Sequence, residues 1–351
     1  MLHTVQASQA LLQLDQYSAV IDARSESEFA VDRLPGALNW PSLNDAERAS
    51  IGTEYKQVSP FAARKRGAML VARNVAAHIE REVLDKPRDW SPLVYCWRGG
   101  HRSGALALVL GQIGFKVHVL EGGYREYRRA VLAALETMPP TFDYRVVCGS
   151  TGAGKSRLLH VLRAHGAQVL DLEGLAEHRG SVLGLAPGTT QPSQKQFESR
   201  MWDVLRRFDP QCPVFVESES RKVGDLRVPP ALIERMRTAP CVQLDLALDH
   251  RVALLIADYD FFVRDTKALC ERLDALRALR GNATVNAWQE AARAGRTSEM
   301  VRALLVEHYD PGYAQSMLRN FAGLAAPKVE LSWDGSDASL ANAAARAIEA
   351  G

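Results

Sequence analysis

Two segments of the chain carry residue types that hold anions, and each suits a different chemistry. In the first, Cys96, Trp97, Arg98, Gly99, Gly100, His101, Arg102 and Ser103 follow directly on the apolar run Leu93-Val94-Tyr95. A thiol that opens a tight loop leading into a helix sits among backbone N–H groups. The helix start, with Arg98 and Arg102 nearby, favours the thiolate. The amides of the same loop can cradle a tetrahedral oxyanion against the sulfur, which makes Cys96 a candidate nucleophile. His101 is either an acid or a bystander whose amide matters more than its ring. Trp97 either stacks on a base or closes the loop.

In the second segment, Gly149, Ser150, Thr151, Gly152, Ala153, Gly154, Lys155 and Ser156 follow Arg145-Val146-Val147-Cys148. This is a complete Gly-x-x-x-x-Gly-Lys-Ser loop between a strand and a helix. Its glycines let the backbone fold around a phosphate, and the helix start adds partial positive charge. Lys155 brings a full charge to the phosphates, and Ser156 can ligate Mg²⁺. Further on, Pro213-Val214-Phe215-Val216 runs into Glu217-Ser218-Glu219-Ser220. Glu217 is a candidate base, and Glu219 a candidate Mg²⁺ ligand. Asp171-Leu172-Glu173 closes another strand on the same edge, so these carboxylates gather near the loop. The loop implies a phosphate ligand but not ATP hydrolysis, because the same cradle holds other diphosphate esters.

Both loops need a strand–loop–helix frame. Ser18 to Asp22, Leu93 to Tyr95 and Lys116 to Leu120 read as strands, alternating with helical patterns at Ser25 to Val31, Asn74 to Leu84 and Ser103 to Ile113. Leu34-Pro35-Gly36-Ala37 reads as a turn. Met138-Pro139-Pro140-Thr141 marks a boundary, after which the alternation restarts with strands at 144–148, 168–172, 214–216, 241–246 and 329–333. From Asp249 to about Arg319 the pattern is helical and rich in charge. The expected fold is α/β: a parallel-sheet domain over 1–138, then a P-loop α/β domain over 141–351 with a helical insertion at about 249–319.

The 351 residues suit two domains. A net charge of only +2 announces no basic tail, and no apolar run is long enough to span a bilayer. The start lacks the basic and apolar regions of a secretory signal. The five cysteines are scattered, without zinc spacing, which fits a reducing cytoplasm.

Alone, the Cys96 spacing matches both the Cys-x5-Arg-Ser loop of tyrosine phosphatases and the active loop of rhodaneses. The surrounding Val20-Ile21-Asp22-Ala23-Arg24, Glu28-Phe29, Leu34 to Asn39 and Leu120-Glu121-Gly122-Gly123-Tyr124 are similar to a rhodanese domain. A rhodanese domain joined to a P-loop domain resembles the bacterial tRNA 2-selenouridine synthases over nearly the whole chain. The most specific marks are Tyr95 to Gly100, Gly149 to Ser156, Asp171 to Ser181, Gln191-Pro192-Ser193-Gln194, Phe197-Glu198 and Val216 to Arg221. The family commonly has Met where this chain has His101.

The resemblance implies a reaction at the wobble 2-thiouridine of tRNA. The sulfur is alkylated by geranyl diphosphate, and the S-geranyl group is displaced with selenium from selenophosphate, giving 2-selenouridine. It implies a cytoplasmic enzyme with tRNA as substrate, a selenophosphate-producing enzyme as a partner, Mg²⁺ at the loop and no tightly bound cofactor. Arg200, Arg221 and Lys222 are candidate tRNA contacts that equally suit a solvated surface. An apolar groove for the geranyl chain is required, and the sequence does not place it. The alternative readings are a Cys-x5-Arg phosphatase or arsenate-reductase-like enzyme fused to a kinase-like domain, and a sulfur-carrier or regulatory rhodanese module.

Overall fold

Short β-branched runs alternating with helix-forming segments build two α/β units in a computed structural model that describes residues 2–351 apart from Val182, Ala186 and Pro187. The first unit takes in the chain up to Ala134 together with Glu198–Asp203. The second takes in Leu135–Phe197 and Val204–Gly351.

In the first unit the elements are β1 (Leu2–Val5), α1 (Ala7–Leu12), β2 (Ala19–Asp22), α2 (Glu26–Val31), β3 (Ala37–Asn39), α3 (Asp45–Gln57), α4 (Pro60–Glu82), β4 (Pro92–Tyr95), α5 (His101–Ile113), β5 (Val117–Leu120) and α6 (Gly123–Thr137). The sheet order is β1-β5-β4-β2-β3, every pair parallel, with β4 in the middle. All four residues of β4 are buried, as a central parallel strand requires. Ser25 and Glu28 form a capping box that starts α2, and Gly114, at φ +115°, ends α5. Val75 and Val83 pack with Ile21, Val94, Leu106 and Leu110, which gives the helical spacing in that region its meaning. The run 34–37, expected as a turn only, leads directly into β3.

The second unit runs β6 (Tyr144–Cys148), α7 (Lys155–Ala164), β7 (Gln168–Leu170), α8 (Leu172–Ala176), α9 (Gln194–Leu205, of which Glu198–Asp203 group with the first unit), β8 (Val214–Glu217), the hairpin β9 (Lys222–Val223) and β10 (Leu226–Arg227), α10 (Pro230–Thr238), β11 (Cys241–Leu246) and α11 (Leu248–Asp258). The helices α12 (Asp260–Arg264), α13 (Thr266–Asp274), α14 (Arg277–Arg280), α15 (Asn282–Arg293), α16 (Thr297–Leu304) and α17 (Asp310–Asn320) follow, then β12 (Val329–Trp333) and α18 (Asp337–Ala350). Its sheet is β12-β11-β6-β8-β7, all parallel, again with the loop-bearing strand central. Successive strands go to one side of β6 and then to the other, which leaves a crevice at its carboxyl end.

The expected strand to Leu172 stops at Leu170. The Asp171 side chain accepts the Gly174 N–H and starts α8 instead. The helices between β11 and β12 have their own core of Phe262, Leu269, Leu273, Trp288, Met300 and Leu304. No helix among the described residues is long and apolar enough to cross a membrane.

Candidate active sites

The Cys96 loop is closed from below by the turn that follows β5. Tyr124 donates its backbone N–H to the Cys96 carbonyl at 2.8 Å, and Arg125 donates to the Trp97 carbonyl at 3.2 Å. The approach is too close for side chains. A Cβ on Gly123 would lie 2.2 Å from the Cys96 oxygen and 2.6 Å from the Gly99 nitrogen. Gly123 itself sits at φ +62°. Trp97 stacks on Tyr124 at 5.4 Å between ring centroids, so its ring closes the loop. Tyr124 is fixed in turn by Arg24, whose guanidinium lies 3.9 Å from its ring centroid, and by a 2.7 Å hydrogen bond donated to Asp32. Arg24 is itself buried in an ion pair with Asp22.

Cys96 is 3% exposed. Burial alone would raise its pKa. The Ser103 hydroxyl, which donates to the sulfur at 3.1 Å, and the backbone N–H groups of Ser103, Arg98 and Gly100 outweigh that and hold the thiol below its ordinary value. The source of activation is therefore the amides and one hydroxyl. The Arg102 guanidinium is engaged by Glu28 at 2.9 Å, and the side chains of Arg98 and His101 are exposed. Gly99, Gly100 and Ser103 lie in the loop wall where the sequence places them, and Ser103 is buried. The result is a buried thiol with a lowered pKa beneath a ring of hydrogen-bond donors.

In the phosphate loop, Gly154 at φ +91° opens α7 and leaves room for Trp333, whose ring a Cβ there would meet at 2.4 Å. Trp333 Nε1 donates to the Ala153 carbonyl at 2.8 Å. Arg251 donates to the Thr151 carbonyl and forms an ion pair with Asp310, which ties the outer turn to α17. Gly152 packs against Leu255. Lys155 Nζ donates to the Gly149 carbonyl at 2.7 Å and lies 5.3 Å from the Tyr313 ring centroid. The Gly149 N–H donates to the Tyr313 hydroxyl at 2.6 Å. Ser150, Thr151 and Ser156 are half-buried around this frame.

The carboxylates do gather near the loop, at different depths. Ser156 donates to Glu173 Oε2 at 3.1 Å, and Glu173 donates its own N–H to Glu217 at 2.6 Å. Glu217 is 1% exposed, its other oxygen lacks a hydrogen bond among the described residues, and it lies outside the cleft lining. Burial first, then Asp171, Glu173 and Glu219, hold it well above the carboxylate range. Glu217, expected as a candidate base, therefore sits behind the cleft rather than in its lining. Glu219 and Glu173 do line the cleft. Burial, then the charge of Glu173, pushes Glu219 up to about 8, and burial raises Glu173.

No group of three acidic, His or Cys side chains that would by itself hold a metal occurs among the described residues. Ser156 with Glu173 and Glu219 nonetheless fits Mg²⁺, which takes one or two carboxylates and completes its shell with phosphates and water.

The cleft over the loop measures about 1080 Å³ and is lined by Arg157, Arg179, Arg237 and Arg280 as well as the carboxylates. Arg200, Arg221 and Lys222 are not among its lining residues. Arg221 and Lys222 lie exposed at the β9–β10 hairpin, and Arg200 lies on α9. Sequence reasoning missed Tyr313, which is far along the chain from the loop and carries no local motif. It also gave no role to Arg179, although His178-Arg179-Gly180-Ser181 was among the most distinctive runs.

A family model described as the tRNA 2-selenouridine synthase AAA domain matches residues 142–276, and a rhodanese-like domain model matches residues 5–130. The tRNA 2-selenouridine synthase of Pseudomonas putida (strain GB-1) is 33% identical over 325 residues, covering 84% of this chain and 86% of that protein. That of Alcanivorax borkumensis is 30% identical over 332 residues, covering 86% and 90%. That of Nitrosomonas europaea is 36% identical over 247 residues, 68% of this chain, and the match spans just under two thirds of its length, 63%. Among solved structures, the N-terminal domain of a putative ATP/GTP binding protein from Clostridium difficile 630 is 29% identical, covers 37% of this chain and 98% of its own, and has a TM-score of 0.32.

Proposed function

Since the chain belongs to the tRNA 2-selenouridine synthase family, we propose that it replaces the wobble sulfur of 2-thiouridine in tRNA with selenium by two steps divided between its loops. In the first step the uridine sulfur attacks C1 of geranyl diphosphate, and diphosphate leaves. In the second, the selenium of selenophosphate attacks C2 of the uridine and expels the geranylated sulfur as geranylthiol, and water then cleaves the Se–P bond, releasing phosphate and leaving 2-selenouridine. The observation that carries the reading is that one chain holds both a complete diphosphate cradle and a buried, activated thiol in an oxyanion cradle.

A thiolate is a poor leaving group from C2, and alkylation makes it a good one. A departing diphosphate needs its charge held, which suits the loop amides, Lys155 and Ser156. Mg²⁺ held by Ser156, Glu173 and Glu219 would add Lewis-acid charge there. Selenophosphate is a tetrahedral oxyanion and suits the donors around Cys96. The roles of Gly99, Gly100, Trp97 and Ser103 are then to shape and polarise that pocket. Arg98, Arg102 and His101 border it.

A flipped uridine and its phosphates suit the arginine-lined cleft, with Arg157, Arg179, Arg237 and Arg280 as the primary contacts. Arg200, Arg221 and Lys222 would extend the RNA surface, as would the helical stretch 249–319. Selenophosphate would come from the enzyme that makes it.

The test is nucleoside mass spectrometry of 2-thiouridine tRNA incubated with the protein, geranyl diphosphate and selenophosphate. Cys96→Ala should stall at S-geranyl-2-thiouridine, and Lys155→Ala should prevent that intermediate from forming. Loss of the same step in both variants would refute the division of labour.

A further inference from the structure

Beside the phosphate loop lies a second, apolar cavity of about 60 Å³. Ile256, Phe262, Leu269, Met300 and Leu304 form its walls, and no charged side chain lines it. Thr151, Ser181, Leu255, Tyr259 and Tyr309 line both this cavity and the cleft, so the two spaces meet at the loop. Leu255 packs directly on the loop: a Cβ on Gly152 would lie 2.9 Å from it. Arg251, one helical turn earlier on α11, holds the Thr151 carbonyl at 2.9 Å and fixes this wall against the loop.

We infer that this cavity takes the hydrocarbon chain of a diphosphate ester whose phosphates rest on Gly149 to Ser156. The inference rests on the reading of the loop as a diphosphate site and names where the rest of that ligand goes. Three observations select a chain over a nucleoside. The lining offers only hydroxyls as polar groups, so a purine or ribose would leave its donors and acceptors without partners. The volume exceeds the roughly 10–15 Å³ needed to hold one water, which leaves room for part of a hydrocarbon chain but not for a purine. Thr151 of the loop is among the residues that line both spaces, so a chain passing from one to the other keeps its first carbon in the cleft beside the loop. Apolar cavities of this kind tend to stay dry and to accept apolar ligands.

The test is calorimetric binding of geranyl diphosphate, inorganic diphosphate and ADP to the full chain with Mg²⁺. Each methylene removed from water is worth roughly a factor of four, so geranyl diphosphate should bind at least about tenfold tighter than inorganic diphosphate, even with partial burial. Val301, half-buried at the cavity wall, is the site to fill. Val301→Phe should remove most of that advantage and leave inorganic diphosphate binding unchanged, whereas Val301→Ala should keep it.

Equal affinity of wild-type protein for geranyl and inorganic diphosphate overturns the inference alone, and this comparison needs no variant to fold. An ADP advantage as large as the geranyl one overturns it in favour of a nucleotide. Absence of inorganic diphosphate binding overturns the reading of the loop and the inference with it.

Discussion

The thiol loop and the phosphate loop occupy the same place in their sheets and treat charge in opposite ways. Each leaves the middle strand of a five-stranded parallel sheet and opens a helix. At Cys96, burial opposes the anion, yet Ser103 and three backbone amides overcome it. Around Lys155, burial and mutual repulsion win, and Glu173, Glu217 and Glu219 are all raised. Hydrogen-bond donors fixed by the backbone prepare an anion before any ligand arrives. Carboxyl groups crowded together without enough donors keep protons until a cation displaces them. The first loop is thus preorganised, while the second is completed by what binds it.

The largest effects should come from removing the charge at the centre of each loop. Lys155→Ala should slow formation of the S-geranyl intermediate by about 10²–10³-fold, the usual loss for a group that stabilises developing charge. The measurement is the rate of intermediate formation by mass spectrometry. Iodoacetamide alkylation of Cys96 should be unchanged in that variant. Altered alkylation would mean that the loops do not act separately.

Ser103→Ala sharpens the same contrast at the thiol. The hydroxyl stabilises the thiolate, so its loss raises the thiol pKa and lowers the thiolate fraction at neutral pH. A hydrogen bond to a charged group is worth about 1.5–3 kcal/mol, which makes alkylation at pH 7 roughly tenfold slower or more. The rates of variant and wild type should converge near pH 10. A gap that persisted there would mean that Ser103 shapes the loop rather than its charge.

Most of this frame was legible because it depends on local pattern. Each loop announces itself through fixed spacing, and the strands before them are short apolar runs. Residues Val75 and Val83 disclosed a helix face because that face is buried. α3 did not, because none of its residues is buried and its pattern has no apolar stripe to read. β1 and β3 escaped notice because they are the two edge strands of their sheet and only three or four residues long. At the sites, sequence supplied the acidic strand ends but not their depth. Glu217 ends β8 and is buried outside the cleft lining, whereas Glu219 lies two residues past the strand and lines the cleft, a difference in depth that spacing does not encode. Tyr313 and Arg251 reach the loop from helices over 90 residues away in sequence, a proximity that no motif encodes.

Tyr313→Phe tests the more distant of those contacts. It leaves the buried Gly149 N–H without its acceptor, at a cost of about 1–3 kcal/mol. The second unit's melting temperature should fall by several degrees, with Cys96 alkylation unaffected. No change would mean that water replaces the phenol at no cost.

The smallest effect should be a pH dependence confined to the carboxyl cluster. Glu219 is held at about 8 in the folded chain, well above the ordinary value near 4.3 expected once unfolded. Between those values the folded state keeps a proton that the unfolded state releases. Stability from this group is therefore complete at pH 4 and is lost as pH rises through 8. Glu219→Gln removes the titration while keeping the shape. Relative to wild type, its melting temperature should gain by about 2–4 °C between pH 5 and pH 8.5 in metal-free buffer, for each 1 kcal/mol recovered. Mg²⁺ with diphosphate, held by the ionised carboxylates as proposed, should erase that gain by stabilising the wild type at high pH. If the two proteins instead melted in parallel at every pH, with or without Mg²⁺, the crowded carboxyls would not be the feature that sets the phosphate loop apart from the thiol loop.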